Sequence, residues 1–537
     1  MGGGLGQLIG TRRHVHCPEP GPGLCQRRRR DSLPTVVWAY PTPPQGSSLE
    51  PSAFQLWVRN CNIYSQPIPQ MPDFEYKPKI YVGPSYEHVK HIRTRNILTA
   101  FAPDFKEPLL IHEGKMQWLF DHTGRRYLDM FGGIVTVSVG HCHPKVNQAA
   151  MQQMNALWHT SNCYMNPILH EYAEKLTSKL PGDLKVVYFV NSGSEANDFA
   201  IFLARLHTKN SDIISFRNSY HGMSSLTMNL TAQSSWKNHV PLAFGFHHAM
   251  NPDVYQGLWG GSHCRDSPVQ TTRHCNCKPN ECNACDMYYG QLEEIFKYSV
   301  PKGKIAGLFA ESVQGIGGTV QYPKGFLKKA YELVRMNGGV CIADEVQTGF
   351  GRTGEHFWGF EMHGVTPDIV TMAKGICNGL PMGAVITTPA LAESLKEAYF
   401  YNTFGGNPVA CAAGLAVLNV IEEERIQENA HTVGAYLLMK LSDLRDQFEC
   451  IGDVRGAGLM IGIEMVTDKE TKIPLPANQF LNIWDDCKNM GVIIGRGGMY
   501  KNIFRMKPPM CITKEDVDFA IDVFKIAIQK HQKTVKM

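Results

Sequence analysis

Lys374 closes the apolar run Ile369-Val370-Thr371-Met372-Ala373 and is followed by Gly375. Burial disfavours the charged form of a lysine and lowers its pKa. A neutral amine is a nucleophile that forms Schiff bases with carbonyl carbons. Two carboxylates stand at comparable places. Glu311 ends KIAGLFAE, and Asp344 lies near the end of GGVCIADE. A buried carboxylate is costly unless it meets a cation or a set of donors. A protonated ring nitrogen is one such partner, and a hydrogen-bonding loop is another.

Further up the chain, VNSGSEAN places Ser192, Gly193 and Ser194 between an apolar run and the start of a helical pattern. A helix N-terminus with free N–H groups binds phosphate. The plain alternative is an N-cap with Glu195 in the first turn. The glycine spacing is neither that of a Walker loop nor that of a dinucleotide fingerprint. SYHG follows the run DIISF, so Tyr220 and His221 stand at another strand end. An aromatic there can stack on a flat ring or pack at the rim of the core. A phosphate cradle, a stacking aromatic, a ring-nitrogen carboxylate and a Schiff-base lysine, in that chain order, together describe a site for pyridoxal 5′-phosphate. The candidate cofactor-binding set is Ser192, Gly193, Ser194, Tyr220, His221, Glu311, Asp344 and Lys374.

The elements that must position these residues alternate. LKVVYFV reads as a buried strand, and DIISF, KIAGLFAE, GGVCIADE and PDIVTMAK as further strands. Helical stretches such as GFLKKAYELVRMNG separate them. The pattern predicts an α/β fold with a mainly parallel sheet covered by helices. Ligands bind outside the carboxyl ends of such strands. WLFDHTGRRYLDM reads as two short strands around a turn, and HPKVNQAAMQQMNALWH as a helix. After about residue 405, GGNPVACAAGLAVLNVIEEER reads as a long helix, VRGAGLMIGIEMV and GVIIGRG as strands, and a last helix starts near Lys514. This suggests a smaller α+β domain. The expected organisation is a leader over 1–70, an N-terminal segment over 71–125 contributing to the small domain, a large domain over 126–404 with a Cys-rich insertion at about 257–287, and a C-terminal small domain over 405–537.

With 43% hydrophobic and 19% charged residues among 537, the chain is an ordinary globular composition long enough for two domains. A formal charge of +4 is too mild to suggest nucleic acid, and no apolar run is long enough to span a membrane. Sixteen cysteines are scattered through apolar segments, which fits reduced thiols better than a disulfide scaffold. Residues 1 to about 70 are rich in Gly, Pro, Arg and Ser and poor in acids. Such a leader is either disordered or a mitochondrial transit region of atypical Gly/Pro content.

NSGSEAN, SYHG, CIADEVQTGFGRTG, PDIVTMAKG and TFGGNPVA, with GHCHPKV near residue 140, resemble the class-III, fold-type-I aminotransferases over about residues 85 to 530. The resemblance implies the fold-type-I PLP-dependent transferase fold, a mitochondrial matrix location, and amino acids and 2-oxo acids as substrates. It implies that Lys374 holds the cofactor and that Asp344 pairs with its pyridine nitrogen. Val346 would pack on the ring face opposite Tyr220, and Gln347 would lie near the phenolic oxygen. Gly193 and Ser194 would bind the phosphate. Thr403 would reach the phosphate of a neighbouring subunit in a homodimer or homotetramer. Arg505, in FRMKPP, would anchor the substrate carboxylate, which a planar guanidinium binds bidentately.

Two positions depart from the family pattern. Ser312 stands where Glu-Pro-x-Gln-Gly is usual, which should alter loop stiffness more than chemistry. Ile316 stands where members acting on ornithine or γ-aminobutyrate carry a glutamate that pairs with the anchoring arginine. Without that glutamate, Arg505 is free for an α-carboxylate, which favours alanine, glyoxylate and pyruvate. The resemblance also implies β-aminoisobutyrate and methylated arginines as donors. The rival readings are a PLP phospho-lyase acting on phosphorylated amines, which needs a second phosphate-binding basic cluster that the sequence does not locate, and a non-enzymatic zinc- or partner-binding scaffold. The last rests on Cys264, Cys275, Cys277, Cys282 and Cys285, whose C-x-C-x4-C-x2-C spacing from Cys275 is not a standard zinc knuckle. No metal is assigned on that spacing, and the stretch reads as a surface insertion.

Overall fold

Six apolar runs, most of them rich in β-branched residues, line up with the short segment Phe246–Ala249 in one sheet. The computed structural model describes residues 68–97, 105–238, 240, 242–271, 277 and 282–535. The seven strands are β1 (Val186–Val190), β2 (Asp212–Phe216), β3 (Phe246–Ala249), β4 (Ile305–Glu311), β5 (Val340–Asp344), β6 (Ile369–Met372) and β7 (Gly383–Thr387). Their order is β1-β7-β6-β5-β4-β2-β3. Pairing is parallel except at β7, which runs antiparallel to β1 and β6. β4 to β7 are buried at every residue, as a sheet covered on both faces requires.

The period-2 alternation of a strand splits these side chains between two cores. Val340 and Ile342 join the helix Gly193–Thr208 through Ala196, Phe199 and Leu203. Cys341, between them, joins the helix Phe326–Met336 through Phe326, Ala330 and Val334. Glu311 is in register with Asp344, and Asp344 with Thr371. The loops that follow β4, β5 and β6 therefore start from one level at the carboxyl edge, where the predicted site residues lie.

Beyond the central sheet, Ile451–Ala457, Met460–Met465, Ile503–Met506 and Gly495–Gly497 form an antiparallel sheet of four strands. A second small sheet joins Ile111–Lys115, Trp118–Asp121 and Arg126–Asp129 to Val492–Ile493. The turn between its middle strands is held by Asp121, whose Oδ1 accepts from Thr123 N at 2.9 Å. The helices Ile426–Gln447 and Lys514–Val535 bury their apolar faces in the same core as these sheets. Among the described residues, no helix is long and apolar enough to cross a membrane.

Four expectations change. LKVVYFV is not a buried strand: β1 is an edge strand paired only with β7, and Val186 is 38% exposed. VRGAGLMIGIEMV is a hairpin rather than one strand, reversing at Gly458, where φ is +53°. GVIIGRG divides into two short strands that belong to different sheets. The Cys-rich insertion is not wholly a surface feature, since Cys264 and Cys285 lie in the core beneath it. The leader expectation over 1–70 falls almost entirely on residues 1–67, outside the described residues.

Candidate active site

Asp344 ends β5 buried and is held from three sides. Its Oδ1 accepts from Val346 N at 3.1 Å. Its Oδ2 accepts from Asn197 Nδ2 at 2.8 Å and meets His221 Nδ1 at 2.8 Å. Asn197 comes from the helix Gly193–Thr208 and also donates to His221 O at 2.8 Å. His221 is fixed at its backbone by Thr231 Oγ1, 3.0 Å away. A carboxylate has about four acceptor positions. One remains for a donor presented from the cavity.

That cavity, of ≈ 200 Å³, opens at the carboxyl edge of the sheet. Every predicted cofactor residue except Thr403 lines it. Lys374 follows β6 at the start of a short turn, with φ at +50°, an uncommon conformation for a residue with a side chain. Burial lowers its pKa to about 8 against the opposing pull of Asp344 and Glu311. A substantial fraction of the amine is thus neutral near pH 8, as Schiff-base chemistry needs.

The phosphate end answers both sequence readings. Ser192 is indeed the N-cap of Gly193–Thr208, its Oγ accepting from Glu195 N at 3.2 Å, while Glu195 accepts from Asn191 N at 2.6 Å. This reciprocal cap leaves the first-turn N–H groups of Gly193 and Ser194 without intrahelical partners. They are left for an anion in the cavity, which the helix dipole would favour. A Cβ at Gly193 would sit 3.1 Å from the Val346 methyls, so glycine there keeps the wall close.

Glu311 lines the cavity, but its carboxylate is already engaged. It accepts from Tyr220 N at 3.1 Å and Gly315 N at 2.7 Å, so it positions the aromatic and the following loop. Burial raises its pKa. The Tyr220 ring lies edge-on to Trp236 at 5.0 Å. Gln347 packs over Gly315, where any side chain would collide with its amide. These residues fit pyridoxal 5′-phosphate: an amine, a donor-seeking carboxylate, an aromatic wall and a helix N-terminus surround one cavity.

Arg505 lies beside the site on Ile503–Met506. Its Nε donates to Arg496 O at 3.0 Å and its Nη1 to Gly315 O at 3.4 Å. Among the described residues no carboxylate pairs with it. Burial lowers its pKa to about 10, with Glu311 opposing. Ile316 is half-buried, and its carbonyl accepts from Gly498 N at 2.9 Å. Lys507 was missed in the sequence. It is buried, donates to Gln347 Oε1 at 3.2 Å and Gly315 O at 3.4 Å, and burial lowers its pKa strongly. Its signal was its place two residues after Arg505, on the same side of an extended segment. Asn197, one helical turn after Gly193, was also missed. Thr403 is exposed and is not brought to this cavity.

Ser312 adds more than loop flexibility. Its hydroxyl donates to the buried carboxylate of Glu345. Glu345 also accepts from Thr348 Oγ1 at 2.9 Å, Gly359 N at 2.7 Å and Phe360 N at 2.9 Å. Burial still pushes its pKa up to about 7.

The family model "Aminotransferase class-III" matches residues 101–528. The chain is 56% identical over 501 residues to human "Alanine--glyoxylate aminotransferase 2, mitochondrial", covering 93% of this chain and 96% of that protein. In structure it is similar to an aminotransferase from Bacillus anthracis, with a TM-score of 0.75 and 31% identity over 83% of this chain and 100% of that one. It is also similar to a phospholyase from Arthrobacter in complex with phosphoethanolamine, with a TM-score of 0.73 and 31% identity, over 82% of this chain and 99% of that one.

Proposed function

The chain belongs to the class-III aminotransferases, and we propose that within this family it moves the amino group of L-alanine to glyoxylate, giving pyruvate and glycine. Transamination follows from the membership, as does the use of amino and 2-oxo acids. The kinship to a relative named mitochondrial places the protein in that organelle. Membership in an enzyme family sets aside the non-enzymatic scaffold.

The observation that carries the substrate reading is Arg505 without a carboxylate partner among the described residues, beside a cavity where Ile316 takes the place of a glutamate. An α-carboxylate supplies the missing negative charge through a bidentate pair. When bound, pyridoxal 5′-phosphate supplies an electron sink for the carbon bearing the amino group. Around it, Asp344 keeps the proton on the ring nitrogen, because a buried carboxylate next to that atom favours its charged form. Asn197 and His221 hold Asp344 in place. Gly193 and Ser194 bind the phosphate, and Val346 and Tyr220 confine the ring faces. Gln347, which lines the same cavity, would lie near the phenolic oxygen. Lys374 Nζ carries the cofactor at rest and then moves the proton to and from the substrate Cα. Thr403 of a neighbouring subunit completes the phosphate site in a homodimer or homotetramer, in keeping with its exposure here. β-Aminoisobutyrate and methylated arginines extend the donor range.

A half-reaction tests the reading. With L-alanine and no acceptor, the visible absorbance of the holoenzyme should bleach as about one pyruvate forms per site. Absorbance indifferent to alanine would sink the donor assignment.

A second reading has an observation of its own. Arg505 and Lys507 are two buried basic side chains that both reach Gly315 O, a candidate for the second basic group a phospho-lyase needs, and the Arthrobacter neighbour carries that activity in its name. Release of inorganic phosphate from phosphoethanolamine would favour it.

A further inference from the structure

The Cys-rich insertion brings three thiols together that the active site does not use. Cys264 lies on the loop before the pair Arg265–Asp453, Cys277 follows thirteen residues later, and Cys282 precedes the helix Asn283–Tyr298 as its N-cap. Their sulfur atoms lie within 4.8 Å of one another, and Cys264 Sγ is 3.6 Å from Cys277 Sγ. For a zinc ion with Zn–S bonds near 2.3 Å, the edge of the thiolate tetrahedron is about 3.8 Å. Asn283 N–H donates to Cys277 Sγ at 3.3 Å, the kind of backbone donor that supports a metal-bound thiolate.

We propose that Cys264, Cys277 and Cys282 bind one soft divalent ion, zinc, as a structural clip of the insertion. Three thiolates select zinc over the oxygen-loving magnesium and calcium. Binding replaces the thiol protons, which leave to solvent, and changes no oxidation state. None of the three cysteines lines the catalytic cavity, so the ion has no part in the chemistry. The clip closes the chain from Cys264 to Cys282. The chain at Cys264 is itself anchored: Cys264 O accepts from Lys324 N at 2.9 Å, and Arg265 pairs with Asp453 at 2.7 Å. Spacing alone did not single out these three of the five candidate cysteines, because Cys264 lies outside the local C-x-C-x4-C-x2-C run.

The test is the metal content of the reduced, full-length holoenzyme after gel filtration. About one zinc per chain is expected. Cys264→Ser, Cys277→Ser and Cys282→Ser should each lose it, while Cys142→Ser, an exposed thiol elsewhere, should keep it. Cobalt exchanged into the wild-type protein should give the intense near-ultraviolet band of thiolate-to-cobalt charge transfer, which decides the matter even if a cysteine variant fails to fold. Reduced protein that takes up neither zinc nor cobalt overturns the proposal. So does zinc retained by all three variants, or a Cys264–Cys277 disulfide in the freshly isolated protein.

Discussion

Two clusters of buried charge, one in the cavity and one on the C-terminal antiparallel sheet, resolve the same problem in opposite ways. On that sheet Asp453 meets Arg265 at 2.8 and 2.7 Å and Arg455 at 2.8 Å, with Thr271 adding a hydroxyl. Burial alone would raise its pKa, but the two guanidinium groups outweigh it and hold the carboxyl far below the usual range. Arg455 in turn donates to Gly318 O and Thr319 O at 3.0 and 3.2 Å. In the cavity the balance is reversed. Burial lowers the pKa of Lys374, Arg505 and Lys507 and raises that of Glu311. Each is less at ease charged than it would be in water. Matched buried charges fix a structure, whereas unmatched ones wait for a ligand that carries the missing charge. The carboxylate and phosphate of substrate and cofactor are such charges.

Variants should separate the two behaviours. Lys374→Ala should lower transamination by on the order of 10⁴-fold while leaving the thermal midpoint nearly unchanged, checked by steady-state kinetics beside calorimetry. Asp453→Ala should do the opposite. Arg265 left without a carboxylate, and Arg455 left with Glu464 alone, should cost about 3–5 kcal/mol of unfolding free energy, read by denaturant titration. A stability loss at Lys374 of that size would break the contrast.

Asp344→Asn should lower kcat by about 10²–10³-fold, because a neutral side chain no longer holds the ring proton. Ser312→Ala is smaller, about 1–3 kcal/mol from one lost donor to buried Glu345. The sign with pH follows from the Glu345 pKa near 7. Raised above its unfolded value, this carboxyl contributes stability below about 4.5 that is lost as pH passes 7. The hydroxyl favours the ionised form, so Ser312→Ala should be more destabilising at pH 8 than at pH 6.

The mildest effect is a pH profile. A protonated amine cannot attack an aldehyde, so rebinding of pyridoxal phosphate to the apo protein should accelerate through a midpoint near 8, the pKa of Lys374. Because this pKa lies below the unfolded 10.5, the lysine's contribution to apo stability should rise with pH between those two values. A rebinding midpoint near 10 would mean that the amine is not desolvated.

Much of this was legible from residue order. Apolar runs with a polar last residue disclosed the parallel strands and the edge where Glu311, Asp344 and Lys374 meet. The run of β7 is as apolar as the others, yet its antiparallel direction has no local signature. β1 looked buried because a β-branched run reads alike at an edge and in the middle of a sheet. Asn197 and Lys507 escaped because an amide inside a helix and a lysine after a strand are ordinary until the fold turns them toward the cavity. The same holds for the convergence of Cys264 on Cys277 and Cys282. Short-range spacing reveals caps and turns, whereas partners from distant elements emerge only with the packing.

Lys374 is proposed as the unmatched amine at which the cofactor is held. Borohydride reduction of the holoenzyme, followed by peptide mass spectrometry, tests it directly. A stable pyridoxyl adduct is expected on the peptide carrying Lys374, and no adduct in Lys374→Ala. A label on Lys507 or any other lysine, or one that survives Lys374→Ala, would contradict it.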